Sequence, residues 1–209
     1  MAYAGRIGTD ASMDRLEKLI EKRLKPGADK EKIDERIWNL FGEQWAVMFT
    51  DLSGFSRQVA EFGIIHFLQV IFESERLLIP CIDDHDGVLL KLEGDSMLVM
   101  FRSVAKALEC SVAMQRILAE YNTSRSDTEK IIVCIGLGFG PVLRIGNEDI
   151  FGAEVNAASK LGEDTAGPRE ILVTDNVRKE LHALKDYNFT QIDEVPPGAD
   201  SAYKVEYKL

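Results

Sequence analysis

Cysteine, histidine, basic residues and long apolar stretches are all scarce in this chain, and each shortage removes a class of function. Three cysteines in 209 residues, Cys81, Cys110 and Cys134, are an odd number, each set singly among apolar neighbours. They form neither a disulfide framework nor a metal-ligand spacing, and read as small buried hydrophobes of a reducing compartment. His66, His85 and His182 lack Cys or carboxylate partners at ligand spacing, so they are assigned no chemistry. Apolar runs never approach the roughly 18 residues of a membrane span, and the polar N-terminus carries no leader pattern. A cytoplasmic protein with no membrane partner is expected. Basic residues number 25 against 35 acidic ones, and the resulting net charge of −10 argues against a nucleic-acid partner. A nucleoside triphosphate stays acceptable, because a bound divalent cation carries the compensating charge. Repeats, low-complexity tracts, a P-loop and a Ser–His–Asp pattern are missing as well.

What is present suits one folded domain with a short extension: 45% hydrophobic and 29% charged residues supply a full core. Apolar positions Met13, Leu16, Leu19, Ile20 and Leu24 recur at helical spacing. Pro26-Gly27 ends that helix, and Asp29 caps a second one reaching Phe41. We take residues 1–44 as a helical extension and 45–209 as the main domain. The two helices either pack on the domain's flank or form an arm joining two protomers. Beyond them, a strand over 46–49 leads to a long helix marked by Ile64, Phe67, Leu68, Ile71 and Leu78 that ends at Pro80. Strands over 87–92 and 97–101 follow, then a helix over 107–121. Two strands, 131–135 and 142–145, are separated by Gly136, Gly138 and Gly140, which read as points of close backbone approach. A short helix over 152–161, a strand over 170–174, a helix over 175–184 and a closing hairpin complete the chain. The order from 46 to 135 is the split β-α-β-β-α-β unit of ferredoxin-like folds. The fold class is therefore α+β, a ferredoxin-like core with an additional C-terminal helix and strands.

The chemistry centres on Ala46-Val47-Met48-Phe49-Thr50-Asp51-Leu52-Ser53-Gly54-Phe55. An apolar strand that stops at Thr-Asp-Leu-Ser-Gly puts the Asp51 carboxylate at a strand tip, with the amides that follow free to hold phosphate oxygens. Lys91-Leu92-Glu93-Gly94-Asp95 reads as a hairpin tip carrying a second carboxylate. In a ferredoxin-like topology those two tips lie side by side, so Asp51 and Asp95 converge as the minimum for a two-metal phosphoryl-transfer site.

Residues 49–56, Lys91-x-x-Gly94-Asp95 and Asp149-Ile150-Phe151-Gly152-x-x-Val155-Asn156-x-Ala158-Ser159 together resemble the class III nucleotidyl cyclases, over about Trp45 to Thr174. The resemblance implies that Asp51, Asp95 and the backbone of Leu52 hold two Mg²⁺ or Mn²⁺ ions. Leu52, Ser53, Gly54 and Phe55 would bind the phosphates. Lys91 and Asp149 occupy the slots that read the base. An ammonium donor suits the adenine N1 acceptor and a carboxylate suits the 6-amino group, whereas guanine's N1–H would need an acceptor in the Lys91 slot. ATP is the implied substrate and adenylate cyclase the implied activity, in a homodimer with shared sites. Asn156 would orient the ribose. Lys160 stands where the family carries a transition-state Arg, keeping the charge but losing the bidentate fork. The stretch Val195-Pro196-Pro197-Gly198-Ala199-Asp200 lacks the family's phosphate Lys, leaving Lys204 or Lys208 as substitutes. A second expectation is thus a degenerate cyclase-homology domain that binds a nucleotide or partner and catalyses nothing. A diguanylate cyclase is disfavoured because Glu93 stands where that family needs a glycine.

Overall fold

The computed structural model describes residues 11–54, 61–147, 149–182 and 187–209. Helices α1 (Ala11–Arg23) and α2 (Lys30–Phe41) form the N-terminal pair. Asp29 caps α2 as its sequence predicts, its carboxylate accepting from the Lys32 amide at 3.1 Å. The pair packs on its own chain: Leu19, Ile37 and Phe41 bury against Ile145, while Leu24, Trp38 and Leu40 stay exposed.

β1 (Gly42–Leu52) starts ahead of Trp45 and leads, beyond the Asp51 turn, to α3 (Ile64–Asp84). The hairpin β2 (Val88–Glu93) and β3 (Ser96–Phe101) and helix α4 (Val104–Asn122) follow, and β4 (Val133–Ile145) returns beside β1. Strand order β2-β3-β1-β4, antiparallel throughout, is the ferredoxin-like core expected from the sequence. The sheet then extends through β6 (Ile171–Thr174), parallel to β4, to β8 (Ala202–Glu206) and edge strand β7 (Asn188–Ile192). Two short helices complete the C-terminal part: α5 (Ala153–Ser159), which runs into a π-helical turn (Lys160–Thr165), and α6 (Asp175–Glu180).

Two sequence expectations need correction. α3 does not end at Pro80 but runs through it to Asp84. Proline there removes one helical hydrogen bond, yet the turn beyond it buries Cys81 and Ile82 almost fully, and that packing outweighs the loss. The glycines at 136, 138 and 140 do not divide two strands either; β4 is continuous across them. They serve instead as a track for α5. A Cβ at Gly138 would lie 2.4 Å from the Glu154 carbonyl oxygen, and one at Gly136 would lie 2.1 Å from that of Ala158.

Side-chain alternation splits the sheet into two faces. Met48, Val99, Leu137 and Val173 pack under α3 and α4 in the main core. Val47, Met100, Val142 and Ile150 face the other way, against Val155 and Ala158 of α5, with Phe49, Leu90 and Leu98 partly uncovered beside them.

Candidate active site

The tips of β1 and the β2–β3 hairpin are brought together by register: Thr50 stands opposite Met97, so Asp51 lies across from Ser96. Ser96 donates its hydroxyl hydrogen bond to the Asp51 carboxylate at 3.3 Å. Gly94, at φ +62°, makes the turn that carries Asp95 to the same place. Burial, reinforced by the charge of Asp95, pushes the Asp51 carboxyl up to about 6. Asp95 is also raised, chiefly by burial and further by Glu163. Two half-buried carboxylates, both raised by burial and one of them further by its neighbour's charge, suit a divalent cation, whose charge favours the ionised form of each.

Glu163 was not anticipated from the sequence. It reaches the carboxylates through the π-helical turn, closed by the Ala166 amide donating to the Leu161 carbonyl at 2.8 Å. Gly162 makes that path possible, because its backbone presses on β1 and β4 and a Cβ there would lie 2.8 Å from the Phe49 carbonyl. Ser159 donates a hydrogen bond to the Glu163 carboxylate. An insertion in helical register is a conformational event that helical periodicity does not reveal.

The amides after Asp51 differ from expectation. The Ser53 N–H is spent on the Ile132 carbonyl at 2.8 Å, extending the β1–β4 ladder by one bond. Leu52 is buried in that ladder, opposite Val133. Gly54, at φ +86°, is exposed, and Phe55 lies outside the described residues.

Lys91 and Asp149 meet directly. The Lys91 ammonium donates to the Asp149 carboxylate at 2.5 Å, both side chains being about one-third exposed (35% and 31%). Asp149 is held by β5 (Asp149–Phe151), a short strand on β4 in register Ile145↔Asp149. Lys91, Glu93, Ser96 and Glu163, with Phe49, Leu98, Ile150 and Val155, line a cleft of about 150 Å³ on the α5 face of the sheet. Lys91, the ammonium of that pair, and the hydroxyl that touches Asp51 thus border one cavity.

Asn156 and Lys160 are four residues apart and point outward from the exposed side of α5. The opposite side of α5 is fastened by Glu154, a buried carboxylate that accepts from the Phe139 amide at 2.9 Å, the Thr174 hydroxyl at 2.8 Å and the Asn176 amide at 2.5 Å. Lys160 is ion-paired with Asp164 one turn on, both exposed. Lys204, on β8, is paired with Glu170 at 2.6 Å and is separated from β1 by β4 and β6. Lys208 offers its carbonyl to Arg116 at 3.0 Å, at the other end of the extended sheet.

The histidine and cysteine reading also changes. Among the described residues, Cys81, His85 and Cys110 form a cluster whose ligand atoms all lie within 4.8 Å of one another. The i, i+4 spacing of Cys81 and His85 on a helix was the available signal.

The profile of the adenylate and guanylate cyclase catalytic domain matches residues 42–204, most of the chain. A Rhizobium meliloti (strain 1021) protein described as "Putative adenylate cyclase 3" is 27% identical over 144 residues, 69% of this chain. The chain spans about a quarter (24%) of that relative's length. An adenylate/guanylate cyclase/hydrolase from Silicibacter pomeroyi superposes with TM-score 0.65 at 24% identity, covering 80% of this chain and 99% of that one. The guanylate cyclase domain of RhGC from Catenaria anguillulae, solved with GTP, gives TM-score 0.65 at 15% identity over 80% and 98% of the two chains. Those two likenesses establish the fold, and the profile match across residues 42–204 shows that this chain belongs to the adenylate and guanylate cyclase catalytic domain family.

Proposed function

We propose that the chain is an adenylate cyclase that converts ATP to cyclic AMP and pyrophosphate as a head-to-tail homodimer with shared sites. The observation that carries the reading is the Lys91–Asp149 pair, whose lysine lines the cleft together with Ser96 and Glu163. An ammonium beside a carboxylate offers one donor and one acceptor, the complement of adenine's N1 and 6-amino group. Until a base arrives, the two charges satisfy each other.

Asp51 and Asp95 hold Mg²⁺ or Mn²⁺, two ions per site with the backbone of Leu52. The bound ions supply Lewis-acid chemistry, easing ionisation of the ribose 3′-hydroxyl and bracing the triphosphate. Asn156 orients the ribose, and Lys160 places its charge against the α-phosphate as the 3′-oxygen attacks and pyrophosphate leaves. Gly54 and Phe55 offer their backbone to the phosphates. Size and direction support shared sites. A 150 Å³ cleft is smaller than the roughly 300–1,000 Å³ that ligand sites occupy, and Asn156 and Lys160 point away from their own chain. A second copy supplies the missing wall.

The second reading is a nucleotide-binding or regulatory module without turnover. It is favoured by the ion pairs that occupy Lys160 and Lys204 and by the cation-free stretch 195–200. Cyclic nucleotide formation from ATP and from GTP with Mn²⁺, beside an Asp51→Ala control, separates the readings. Cyclic AMP well above the control, with GTP the poorer substrate, is expected. Calorimetric ATP binding with no product above the control establishes the module, and faster turnover of GTP overturns the base assignment.

A further inference from the structure

On the opposite face of the sheet from the cleft, α3 and α4 cross at Cys81 and Cys110, which are 3% and 0% exposed. Each thiol leans on the other's backbone: Cys81 Sγ lies 3.9 Å from the Cys110 carbonyl oxygen, and Cys110 Sγ lies 3.7 Å from that of Cys81. His85 follows Cys81 by one helical turn. Its Nδ1 is 3.8 Å from Cys81 Sγ and 2.7 Å from the Cys81 carbonyl. We propose that Cys81, His85 and Cys110 form a binding site for a thiophilic d¹⁰ cation, zinc being the type, that staples the C-terminal end of α3 to α4.

Donor chemistry and spacing both support this. Two sulfurs and one imidazole nitrogen select zinc-like cations over Mg²⁺ or Mn²⁺, which prefer oxygen. Zinc bonds of roughly 2.3 Å to sulfur and 2.0–2.1 Å to nitrogen set ligand-to-ligand edges somewhat under 4 Å. The cluster, with all three ligand atoms inside 4.8 Å, needs an inward shift of an ångström or less. Half-buried His85 leaves a side open for entry and for a water as fourth ligand. Binding exchanges the His85 hydrogen bond to the Cys81 carbonyl for a metal bond. It also releases the two thiol protons to solvent, so the thiolates balance the dication. The Cys110 thiol beside Cys81, with His85 close by, already lowers the Cys81 pKa, while the same contact and burial raise that of Cys110.

The test uses the full chain, reduced and stripped of metal, titrated with Co²⁺ as zinc's spectroscopic stand-in. One equivalent is expected to give thiolate-to-cobalt charge-transfer absorption that zinc abolishes and an excess of Mg²⁺ leaves alone. Cys81→Ala and Cys110→Ala lose the absorption; Cys134→Ala and Asp51→Ala keep it. His85→Ala, at a half-buried position, is expected to weaken zinc by more than the roughly 10–100-fold that loss of an outer-sphere partner costs. No charge-transfer absorption in the wild type, or its survival in the Cys81→Ala/Cys110→Ala double variant, overturns the proposal. Alkylation of the wild-type chain keeps the question decidable if a cysteine variant fails to fold. Zinc should protect Cys81 and Cys110 from a thiol reagent but not Cys134, and equal protection of all three also overturns it.

Discussion

Replacing Asp51 by Asn should stabilise the metal-free protein while abolishing its response to metal. The carboxyl of Asp51 is pushed up to about 6, from an ordinary value of 3.8, by burial first and by Asp95 second. For an acid the sign is definite. The folded state binds this proton more tightly than the unfolded chain, so ionisation above about pH 6 costs stability, and the cost fades as pH falls toward the unfolded value. A shift of about two units corresponds to about 3 kcal/mol at most; partial exposure and solvent screening reduce this to about 1–2 kcal/mol. Asparagine keeps the size and can still accept from Ser96, but carries no charge. In a domain of this length that gain is worth roughly 2–8 °C in Tm. Thermal melts with a chelator should show Asp51→Asn melting above wild type at about pH 8, with the difference shrinking toward about pH 5. Added Mn²⁺ should raise the wild-type Tm and leave the variant's unchanged. A variant that melts lower than wild type at the alkaline pH, or one that Mn²⁺ stabilises equally, refutes the reasoning.

Three further expectations follow from the same geometry. Mixing Asp51→Ala with Asn156→Ala protein should restore about a quarter of wild-type activity, because random exchange makes half the dimers mixed and each mixed dimer has one intact site of two; no recovery in a cyclic AMP assay rejects the shared site. Gly138→Ala should push α5 off the sheet, costing about 1–3 kcal/mol in denaturant unfolding and most of the activity, and an unchanged midpoint would show that the close approach of Glu154 is not tight. Asp164→Ala should release Lys160 and raise activity a few-fold with little change in Tm, since solvent screens an exposed pair and leaves it little stabilising effect; lower activity would assign Asp164 a role of its own.

Much of this was legible in the sequence because it depends on local pattern. Strand periodicity, turn glycines and element order placed Asp51 and Asp95 at neighbouring tips. Register and the mutual effect of the two carboxyls agree with that placement. Features decided by packing were not legible. Pro80 reads as a stop signal, yet buried Cys81 and Ile82 carry α3 past it. Gly136, Gly138 and Gly140 mark close approach correctly, but whether they break a strand depends on what lies above them, and α5 seals the continuous β4. Glu163 reaches the cleft through a π-helical turn, and Cys110 meets Cys81 and His85 only when two helices dock. Neither distance is encoded in a spacing along the chain.

The glycine track under α5 bears on how this protein can change over generations. Everything that seats the helix lies beneath it: the bare backbone of β4, the pinned carboxylate of Glu154, and Val155 and Ala158. Asn156 and Lys160 lie on the exposed side, so exchanging them leaves the mounting in place. If Lys160 acts on the α-phosphate as proposed, selection can tune, weaken or restore turnover at 160 by single steps between lysine and arginine, at almost no penalty in folding. On that proposal, a lineage of such chains can drift between catalyst and mere nucleotide receptor and return, for as long as the buried layer underneath is kept.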